Sequence, residues 1–578
     1  MYERLFTRAI GRRWLLLFIL LAALAVQLGS GLPFFSVRAS EETPKEQGGS
    51  LEGRLLDPQG QPVHGAKVVA VAESSSDPVA HTESQDDGSY LLDLPPGTFD
   101  SVAIQISRPH FYPTELHLAA SSLTEINAGH SVRLPDLTLK RRLTPGFWIA
   151  TFSFVLVLVL IALERLHKTT AALLGMALVL GFSLIGGTLN PDLFIFDFKQ
   201  ALQYVDFDVI FLVMGMMIVI GVIEETGIFQ WLAYQAYRLA RGRVWLLVSS
   251  LMIVTSIASA LLDNVTTMLL MAPITIEIAL AMGINPLSVL LPEVLASNVG
   301  GTATLIGDPP NILIGSYAGL GFSDFLVDLA PGILVAEVAL ILYVVLRYRR
   351  EHRAASGQLS AAMTKRLREN GRITQPEKLG KAGIIFLMML ILFILGDVID
   401  LVPAVTAILG AVAMLLWVAS DIEEMVKVVD WTTLIFFIAL FVLVGALQEV
   451  GLIGFIAAGV SRLVGSNPTV AILVLVWSAV SLSAVIDNIP FTATMLPIVA
   501  YLNQTVAGVE NGVLWYALAI GAGMGGNSTL IGASPNLVTA GISERAGFRV
   551  TYLQFLKIGA PATLITAAVG TLWLFLHF

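Results

Sequence analysis

The chain contains no cysteine among its 578 residues, and only 13% of its residues are charged. Without thiols it can form no disulfide, cysteine nucleophile or thiolate metal site. It also contains neither a P-loop nor an HExxH motif, so the usual signatures of an ATP-driven pump and of a zinc hydrolase are missing. The net charge of −9 is spread over loops and one polar segment, which gives no reason to expect nucleic acid as a partner.

Apolar sequence is what the chain has in abundance. Its residues are 56% hydrophobic with a mean hydropathy of +0.78, and apolar runs of about 18 residues or more recur along it. These runs predict a polytopic α-helical membrane protein whose first series of helices is followed by a comparable series from residue 382. The first series is expected near residues 147–163, 171–188, 207–223, 244–262, 265–283, 287–318 (interrupted) and 330–347.

The N-terminal segment, residues 1–39, has the features of a targeting sequence. Four arginines precede an apolar run that begins at Trp14. This order is typical of a signal anchor or of a cleaved signal peptide, and the sequence leaves both open. In either case we expect the segment that follows to be exported.

Residues 40–142 are polar, rich in turn-forming residues and patterned in short alternating runs. The pattern predicts a small antiparallel all-β sandwich. The order "GRLLDPQGQPVHGAKV", "DDGSYLLDLPPGTF" and "LPDLTL" resembles the carboxypeptidase regulatory-like domains. That resemblance implies an appended module without a catalytic group. A spacer or assembly surface is the first interpretation, and binding of a ligand or glycan is the alternative.

The distribution of basic residues orients the predicted helices. The polar linker, residues 348–380, is rich in Lys and Arg, which predicts that it is cytoplasmic in a multi-pass protein of the cell (inner) membrane. The N-terminus is then cytoplasmic unless it is cleaved, and the sandwich lies on the outer side. The basic run at 140–142 conflicts with this orientation, and we assign it to the exported domain because large exported domains obey the charge rule weakly.

Two halves of the membrane region repeat each other, residues 143–347 and residues 381–578. The offset between Asp263 and Asp487 is 224 residues (487 − 263), and the Asn that follows each Asp is repeated with it. Farther on, "GGTATLIGDPPN" at 300–311 recurs as "GGNSTLIGASPN" at 525–536. If 244–262 and 265–283 form a re-entrant hairpin, each half crosses the membrane five times, which inverts the second copy. Inverted repeats with broken helices are the architecture of secondary transporters.

The candidate site consists of two hairpin tips and two broken helices. The tips carry Asp263 and Asn264 in the first repeat and Asp487 and Asn488 in the second, which favours Na⁺ coordination or reversible protonation. The alternative is that each Asp only caps the helix that follows it. The full set of predicted substrate-binding or ion-binding residues is Asp263, Asn264, Thr266, Thr267, Asn298, Gly300, Gly301, Thr302, Thr304, Asp308, Asn311, Asp487, Asn488, Thr492, Gly525, Gly526, Asn527, Ser528, Thr529, Ser534 and Asn536.

Backbone breaks and nearby acids complete the prediction. In the "GGTATLIGDPPN" break we expect Gly300 and Gly301 to loosen the helix, so that freed carbonyls can hold a cation. Asp308 has Ala533 as its counterpart, so a charge there belongs to one repeat only. Glu277 and Glu293 are candidates for the cavity wall, and Glu225 and Glu449, at predicted helix ends, are assigned structural roles.

The four motifs "DNVTTMLLMAPI", "GGTATLIGDPPN", "IDNIPFTATMLPI" and "GGNSTLIGASPN" resemble those of the P protein, arsenite permease and NhaD-type antiporter group of the ion transporter superfamily. The resemblance spans residues 145 to 578. It implies a citrate transporter-like fold in which scaffold helices form a homodimer and hairpins with broken helices form a transport part that moves in an elevator mechanism. In related dicarboxylate carriers the tips have Ser where this chain has Asp, which weakens the case for direct binding of an anion.

The predicted function is secondary active transport of an ion or small anionic solute, coupled to Na⁺ or H⁺, by symport or antiport. The alternatives are a Na⁺/H⁺ antiporter-like cation exchanger, an anion channel, and a receptor that senses a ligand through the sandwich. An enzyme is not expected, and intramembrane hydrolysis by the two aspartates is a remote alternative. We expect no cofactor besides the coupling ion, and the expected partners are the solute, membrane lipid and a second copy.

Overall fold

The computed structural model describes residues 49–72, 78–96, 99–163, 165–354, 367–369, 371–418 and 422–578. The predicted targeting segment, residues 1–39, lies outside the described residues. So does much of the basic linker predicted for residues 348–380.

The first folded unit is a β-sandwich of two sheets. One sheet has the order β4-β1-β7 with β8 also paired to β1, and the other has the order β3-β2-β5-β6. The alternating residues of β2 face a core of small and branched apolar side chains. Its elements are β1 (Ser50–Leu56), β2 (Lys67–Ala72), β3 (Pro78–Glu83), β4 (Ser89–Asp93), β5 (Val102–Ser107), β6 (Thr114–His117), α1 (Ala120–Asn127), β7 (Ser131–Arg133) and β8 (Leu137–Thr138).

The sequence predicted an antiparallel sandwich, but the observed sandwich is not wholly antiparallel. Strands β7 and β8 both pair with β1 in parallel. The helix α1 carries the chain from β6 across to the other sheet, so β7 arrives beside β1 in the same direction. A parallel pair needs such a crossover connection, and the short turn-rich pattern of the sequence did not indicate one.

The second unit is a helical bundle in which nine helices of the described chain are long and apolar enough to cross a membrane, judged by length and composition. Its first half contains α2 (Pro145–Ala162), α3 (Lys168–Gly181), α4 (Phe198–Gln203), α5 (Phe207–Glu224), α6 (Ile228–Ala240), α7 (Val244–Leu261), α8 (Asn264–Ala281), α9 (Leu287–Gly301), α10 (Pro309–Ala318) and α11 (Ala330–Arg347). A π-helical turn and a short α-helical turn extend α3 to Leu189. The last span of the first half begins at Phe322 with a short α-helical turn, and a π-helical turn joins it to α11.

The same order of elements recurs after the linker, whose described start is α12 (Arg349–Ala354). The second half contains α13 (Pro376–Ile399), α14 (Pro403–Trp417), α15 (Ile422–Val428), α16 (Trp431–Glu449), α17 (Leu452–Val464), α18 (Pro468–Ser483), α19 (Asn488–Thr505), α20 (Val513–Gly525), α21 (Ser534–Arg545) and α22 (Tyr552–His577). Helices α5 to α8 begin 224 residues before α16 to α19, respectively.

The predicted apolar segments of the first half lie within three residues of the observed helix bounds, except that α11 is preceded by helical turns from Phe322. The short helices α6 and α17 were not among them. Each has one apolar and one polar face and follows a glycine with positive φ, Gly227 at 79° and Gly451 at 87°. Glycine adopts this conformation without steric cost, so it allows a sharp turn between the long helix and the amphipathic helix.

The sandwich and the linker contact opposite ends of the bundle. Arg108 of the sandwich donates to Glu449, at the end of α16, at 2.9 Å, and Gln61 donates to Gln504 in α19 at 2.7 Å. At the other end, Thr374 of the linker donates its backbone N–H to the Thr226 carbonyl at 2.9 Å. We call these ends the sandwich side and the linker side. The basic run at 140–142 is used at the first of them, where Arg141 donates to the Glu449 carbonyl at 3.0 Å.

Candidate functional site

Each half of the bundle contains a hairpin whose second helix begins with the predicted Asp-Asn pair. Asp263 caps α8 by accepting hydrogen bonds from the Thr266 backbone N–H at 2.9 Å and its hydroxyl at 3.0 Å. Asp487 caps α19 by accepting from the Ile489 N–H at 3.1 Å. The capping role proposed as an alternative is therefore present at both tips, and it leaves further oxygen lone pairs on each carboxylate.

Each half also contains a helix that is interrupted inside the bundle. Helix α9 ends at Gly301 and α10 begins at Pro309, and α20 ends at Gly525 before α21 begins at Ser534. Prolines follow at the start of both second segments, where the missing N–H costs no helical hydrogen bond. These breaks leave backbone carbonyls that need partners away from water.

Two asparagines provide partners for those carbonyls. Asn311 donates to the carbonyls of Thr302 at 2.9 Å and Thr304 at 2.8 Å. Its counterpart Asn536 donates to the carbonyls of Gly526 at 2.8 Å and Thr529 at 2.9 Å. Both side chains are buried, so the amides hold the breaks in shape.

The prediction that Gly300 and Gly301 loosen the helix is wrong, because α9 continues through both residues. A Cβ on Gly300 would lie 2.2 Å from the Ser256 carbonyl oxygen, and one on Gly525 would lie 2.8 Å from that of Val480. These glycines therefore let the broken helix approach the hairpin closely. Gly526 likewise allows a close approach, to Ala533 beyond the break.

Each hairpin packs against the broken helix of the other half, α8 against α21 and α19 against α10. This arrangement brings Asn488 to Asp308, with the amide Nδ2 3.4 Å from Oδ2. Within the second half, the Ser534 hydroxyl of α21 donates to Asp487 at 3.0 Å. Asp308 also interacts with Asn264 and with both tip aspartates. The predicted tips and breaks therefore form one polar cluster at the contact between the two halves.

An amide chain runs through the middle of this cluster. Asn298 donates to the side-chain oxygens of Asn527 at 2.8 Å and Asn536 at 2.9 Å, and its own oxygen lies 3.4 Å from Asn264 Nδ2. Asn527 in turn donates to the Leu295 carbonyl at 3.0 Å. Buried amides with this many partners fix one another's orientation, so the first tip is linked to both breaks.

A cavity of about 370 Å³ leads from the linker side to this cluster, and we call it the linker-side cavity. Of the cluster, Asp263, Asn264, Asp308, Asn488 and Ser534 line it, whereas Asp487 does not. Its acidic walls are completed by Glu224 and Asp430.

Asp430 lies at the mouth of this cavity, just before α16. Burial alone would raise its pKa, but hydrogen bonds from Thr432 and Thr433 outweigh burial and lower the pKa below the usual range. The Thr433 hydroxyl donates to it at 2.6 Å and the Thr432 N–H at 3.0 Å. Asp430 is thus a fixed negative charge at the entrance.

A second cavity of about 390 Å³ opens on the sandwich side, and we call it the sandwich-side cavity. Its walls include Asp208, Asp324, Asp397 and Asp400. Ile312 of α10 lines both cavities, which therefore approach each other from the two sides of that helix segment. The polar cluster lies on the linker side of Ile312.

Several predicted site residues direct their hydroxyls to backbone carbonyls instead of the cavity. Thr302 donates to the Asn298 carbonyl at 2.9 Å, Thr492 to that of Asn488 at 2.7 Å, and Thr529 to that of Ala484 at 2.5 Å. Thr304 donates to the Ala260 carbonyl. Thr267 and Ser528 are buried outside the cavity lining, and Thr266 lines it. The structure therefore makes most of these hydroxyls supports of the site.

The acids considered beside the site have other places. Glu293 is fully buried and accepts from the Thr255 hydroxyl at 2.8 Å, and neither it nor Glu277 lines the linker-side cavity. Glu225 forms an ion pair with Lys378 at 3.4 Å, and Glu449 forms one with Arg108 at 2.9 Å. Both contacts join the bundle to a neighbouring segment. Within the described ranges, no three His, Asp or Glu side chains are grouped as ligands of one metal ion.

Lys168, the first residue of α3, is the site residue that sequence reasoning missed. It is the one Lys or Arg among the described residues that line the linker-side cavity. Its Nζ donates to the Ser534 hydroxyl at 3.0 Å and lies 5.4 Å from the centre of the Phe436 ring. In the sequence it falls in the basic run "ERLHK", which the charge rule explains completely, so no separate signal distinguished it.

Comparison with known proteins gives consistent matches. The "Citrate transporter" family model matches residues 158–521, and the "Carboxypeptidase regulatory-like domain" model matches residues 50–140. An uncharacterized transporter of Mycobacterium tuberculosis is 38% identical over 431 residues, 74% of this chain and 98% of that protein. The P protein of Homo sapiens is 34% identical over 505 residues, 74% of this chain and 59% of that protein.

Among solved structures, the YdaH transporter of Alcanivorax borkumensis is similar with a TM-score of 0.48 and 13% identity, over 74% of this chain and 97% of that one. The family matches confirm both resemblances identified from the motifs. The chain belongs to the citrate transporter family, as a multi-pass membrane transport protein, not an enzyme, that carries a carboxypeptidase regulatory-like domain.

Proposed function

We propose that the protein is a secondary active transporter that moves an ion or a small anionic solute in exchange or together with Na⁺ or H⁺. The observation that carries the proposal is the polar cluster at the contact between the two halves. The cluster joins both hairpin tips and both breaks. The cavity that leads to it is open on the linker side and ends at Ile312. A site that is accessible from one side is what alternating access requires.

The contacts at the helix ends support an inverted repeat. Helix α5 ends on the linker side, where Glu225 pairs with Lys378, and its counterpart α16 ends on the sandwich side, where Glu449 pairs with Arg108. Tyr204, just before α5, donates its hydroxyl to Glu449 at 2.5 Å. In the proposed architecture, equivalent helices therefore run in opposite directions and the two hairpins enter from opposite sides.

In this proposal the coupling cation binds at the tips. Asp263 with Asn264 and Asp487 with Asn488 each offer a carboxylate and an amide oxygen beside a broken helix. Carboxylate and carbonyl oxygens suit a hard cation such as Na⁺, and a carboxylate away from bulk water can instead carry a proton. Two acids at the tips repel a free carboxylate, so an anionic solute needs the cation to be bound first.

The moving part in the proposed elevator mechanism consists of the hairpins, the broken helices, α11 and α22. The scaffold consists of α2, α3, α5, α13, α14 and α16. The amphipathic helices α6 and α17 connect the two, and the glycine turns before them provide hinges. Movement of the hairpins past α5 and α16 exposes the same cluster to the sandwich side.

We also propose a homodimer formed through the scaffold. The predicted membrane spans with the smallest buried fractions are α3 with its extension, α13 and α2, at 22%, 28% and 33%. Their remaining apolar surface requires lipid or a second copy. The sandwich docks at the ends of α16 and α19 as an appended module and contributes no group to the cluster.

Cation flux in proteoliposomes tests the proposal. The purified protein is reconstituted, and Na⁺ and pH gradients are imposed separately while ²²Na⁺ movement and internal pH are followed. We expect a saturable flux that responds to at least one gradient. Flux that is indifferent to both gradients contradicts the coupling.

A cation exchanger without an anionic solute is the alternative that the acidic cavity walls favour. Glu224, Asp263, Asp308 and Asp430 all line the linker-side cavity. In that case Na⁺ and H⁺ exchange for each other in the same assay with no solute added. Rapid electrogenic flux without saturation instead indicates a channel.

A further inference from the structure

The contact between Lys168 and the second tip crosses from the proposed scaffold to the proposed moving part. Lys168 is held on the scaffold side because Thr169, the next residue of α3, donates its hydroxyl to the Thr432 carbonyl of α16 at 2.8 Å. Its ammonium group donates to Ser534 of α21 at 3.0 Å. Ser534 passes the interaction on by donating to Asp487 at 3.0 Å.

The ammonium group stands where a positive charge is needed. Asp487 is buried, and Asp263 and Asp308 line the same cavity as Lys168. Lys168 is the lone Lys or Arg among the described residues lining this cavity. Its charge therefore offsets part of the negative charge of the empty cluster.

The Ser534 hydroxyl cannot hold the ammonium group and a coupling cation at the same time. A hydroxyl has one proton and two lone pairs. In the structure the proton is given to Asp487 and a lone pair is taken by Lys168. A cation coordinated by Asp487 and the Ser534 oxygen would meet the ammonium group at short range, and like charges at such a distance repel.

The other cavity offers no such contact. The second helix of the second half, α14, begins with Pro403 where α3 begins with Lys168, and Pro403 lines the sandwich-side cavity. Ser534 likewise has Pro309 as its counterpart, at the same 225-residue offset as the breaks. The ammonium–hydroxyl–carboxylate chain therefore belongs to the linker side alone.

We propose that Lys168 is a tethered cation that takes the place of the coupling cation at the second tip and holds the empty carrier open to the linker side. This inference rests on the proposed function. Lys168 is a positioning residue in this account, because it acts on the site through Ser534. Arrival of the coupling cation displaces the ammonium group, which releases the moving part from the scaffold.

The chain's lack of cysteine permits a direct test. Val265, which lines the linker-side cavity beside Asp263, is replaced by Cys in the full-length protein, and an impermeant maleimide is applied to either side of oriented proteoliposomes in choline chloride. With Lys168→Gln added, we expect labelling from the linker side to slow by about tenfold, since a hydrogen bond from a charged donor is lost. Labelling from the sandwich side should rise.

Two further variants separate the contact from a general loss of folding. Ser534→Ala should reproduce the slower labelling while Lys168 is intact, and Lys168→Arg should restore most of it. Lys199→Gln, which removes an exposed lysine from α4, is the matched control and should label at the rate of the parent. The coupling cation identified by flux should slow labelling in the parent and change little in Lys168→Gln.

The outcomes distinguish this inference from the proposed function. Equal labelling of the parent from both sides at once contradicts alternating access itself. Labelling that alternates with the cation gradient but is the same in Lys168→Gln and Lys199→Gln overturns the role of Lys168 and leaves the transporter proposal intact. Loss of binding of a small anionic solute in Lys168→Gln, with unchanged labelling, also overturns it.

Discussion

Asp263 lies in the wall of the linker-side cavity, whereas its counterpart Asp487 is buried beneath Ser534. Both cap the helix that follows, and each is followed by Asn. The difference comes from the broken helix of the same half, which has Asp308 and Pro309 in the first half where the second has Ala533 and Ser534, and Ser534 donates to its tip carboxylate. Duplication therefore preserved the capped tip while its surroundings diverged.

The helix ends differ in the same way. Glu449 at the end of α16 is 8% exposed in its pair with Arg108, and Glu225 at the end of α5 is 37% exposed in its pair with Lys378. One end contacts a folded sandwich, and the other contacts the end of the linker and the first turn of α13. The segments outside the repeats thus determine what the equivalent positions contribute.

The largest effect is expected from removing the acid that only one half has. Asp308→Ala should reduce cation flux by about 100-fold or more, because buried Asn264 and Asn488 lose the carboxylate between them and the first break loses its charge. Flux in proteoliposomes measures the change. Asp197→Asn, at a surface cap, is the control and should keep the parental flux. Full activity of Asp308→Ala would mean that transport does not depend on the acid that only one half has.

Replacing Glu449 or Glu225 by Gln, each in its own variant, compares a buried ion pair with an exposed one. Glu449→Gln leaves Arg108 without its buried partner, which should cost about 3–5 kcal/mol of the docking free energy. Hydrogen exchange of the sandwich strands and of the segment 141–144 measures the loss. Glu225→Gln is the matched variant and should cost at most about 1 kcal/mol. Equal costs would contradict the assignment of the sandwich as the tighter contact.

Acid should destabilise the sandwich through His110. Burial, partly opposed by Glu449 and reinforced by Arg141, Arg108 and Arg142, lowers the pKa of His110 to about 4. Because the folded pKa is below the ordinary value of 6.5, the stabilisation is complete above pH 6.5 and is lost as the pH falls from 6.5 to 4. The total is on the order of 3 kcal/mol.

A pH series of sandwich unfolding measures this effect. His110→Asn keeps a residue that tolerates the positive φ of 65° and removes the titrating group. The variant should lose the slope between pH 6.5 and 4. A slope as steep as that of the parent would assign the acid sensitivity to another group.

The break asparagines should behave alike in the two halves. Asn311→Ala and Asn536→Ala each leave buried carbonyls without a donor, which should cost about 1–3 kcal/mol of unfolding free energy. Thermal unfolding in detergent measures both. Asn503, whose buried amide has no hydrogen-bond partner within the described chain, supplies the control Asn503→Ala. A large difference between the two break variants would show that the breaks have also diverged.

The sequence predicted the membrane helices well because each is an apolar run with polar ends. It also located the tips and breaks, since an Asp-Asn pair and a Gly-rich segment with Pro interrupt such runs. It missed α6 and α17 as separate elements because their half-polar faces make no apolar run. It assigned the wrong role to Gly300, because a close helix contact depends on a partner that is distant in the sequence.

The contact of Lys168 with Ser534 was beyond prediction for the same reason. The two residues are 366 positions apart and belong to different halves. A lysine at the start of a span already has an explanation in membrane topology. Only the hydrogen bond to Ser534 of α21 in the folded chain gives it a second role.

Alternating exposure of one cluster between the two tips is the central claim, and the thiol accessibility of Val265→Cys tests it most directly. Labelling by an impermeant maleimide should be fast from the linker side in the empty carrier. Labelling should shift to the sandwich side when the coupling cation is present and its gradient is reversed. Labelling from one side under every condition, or from both sides at once, would contradict the claim.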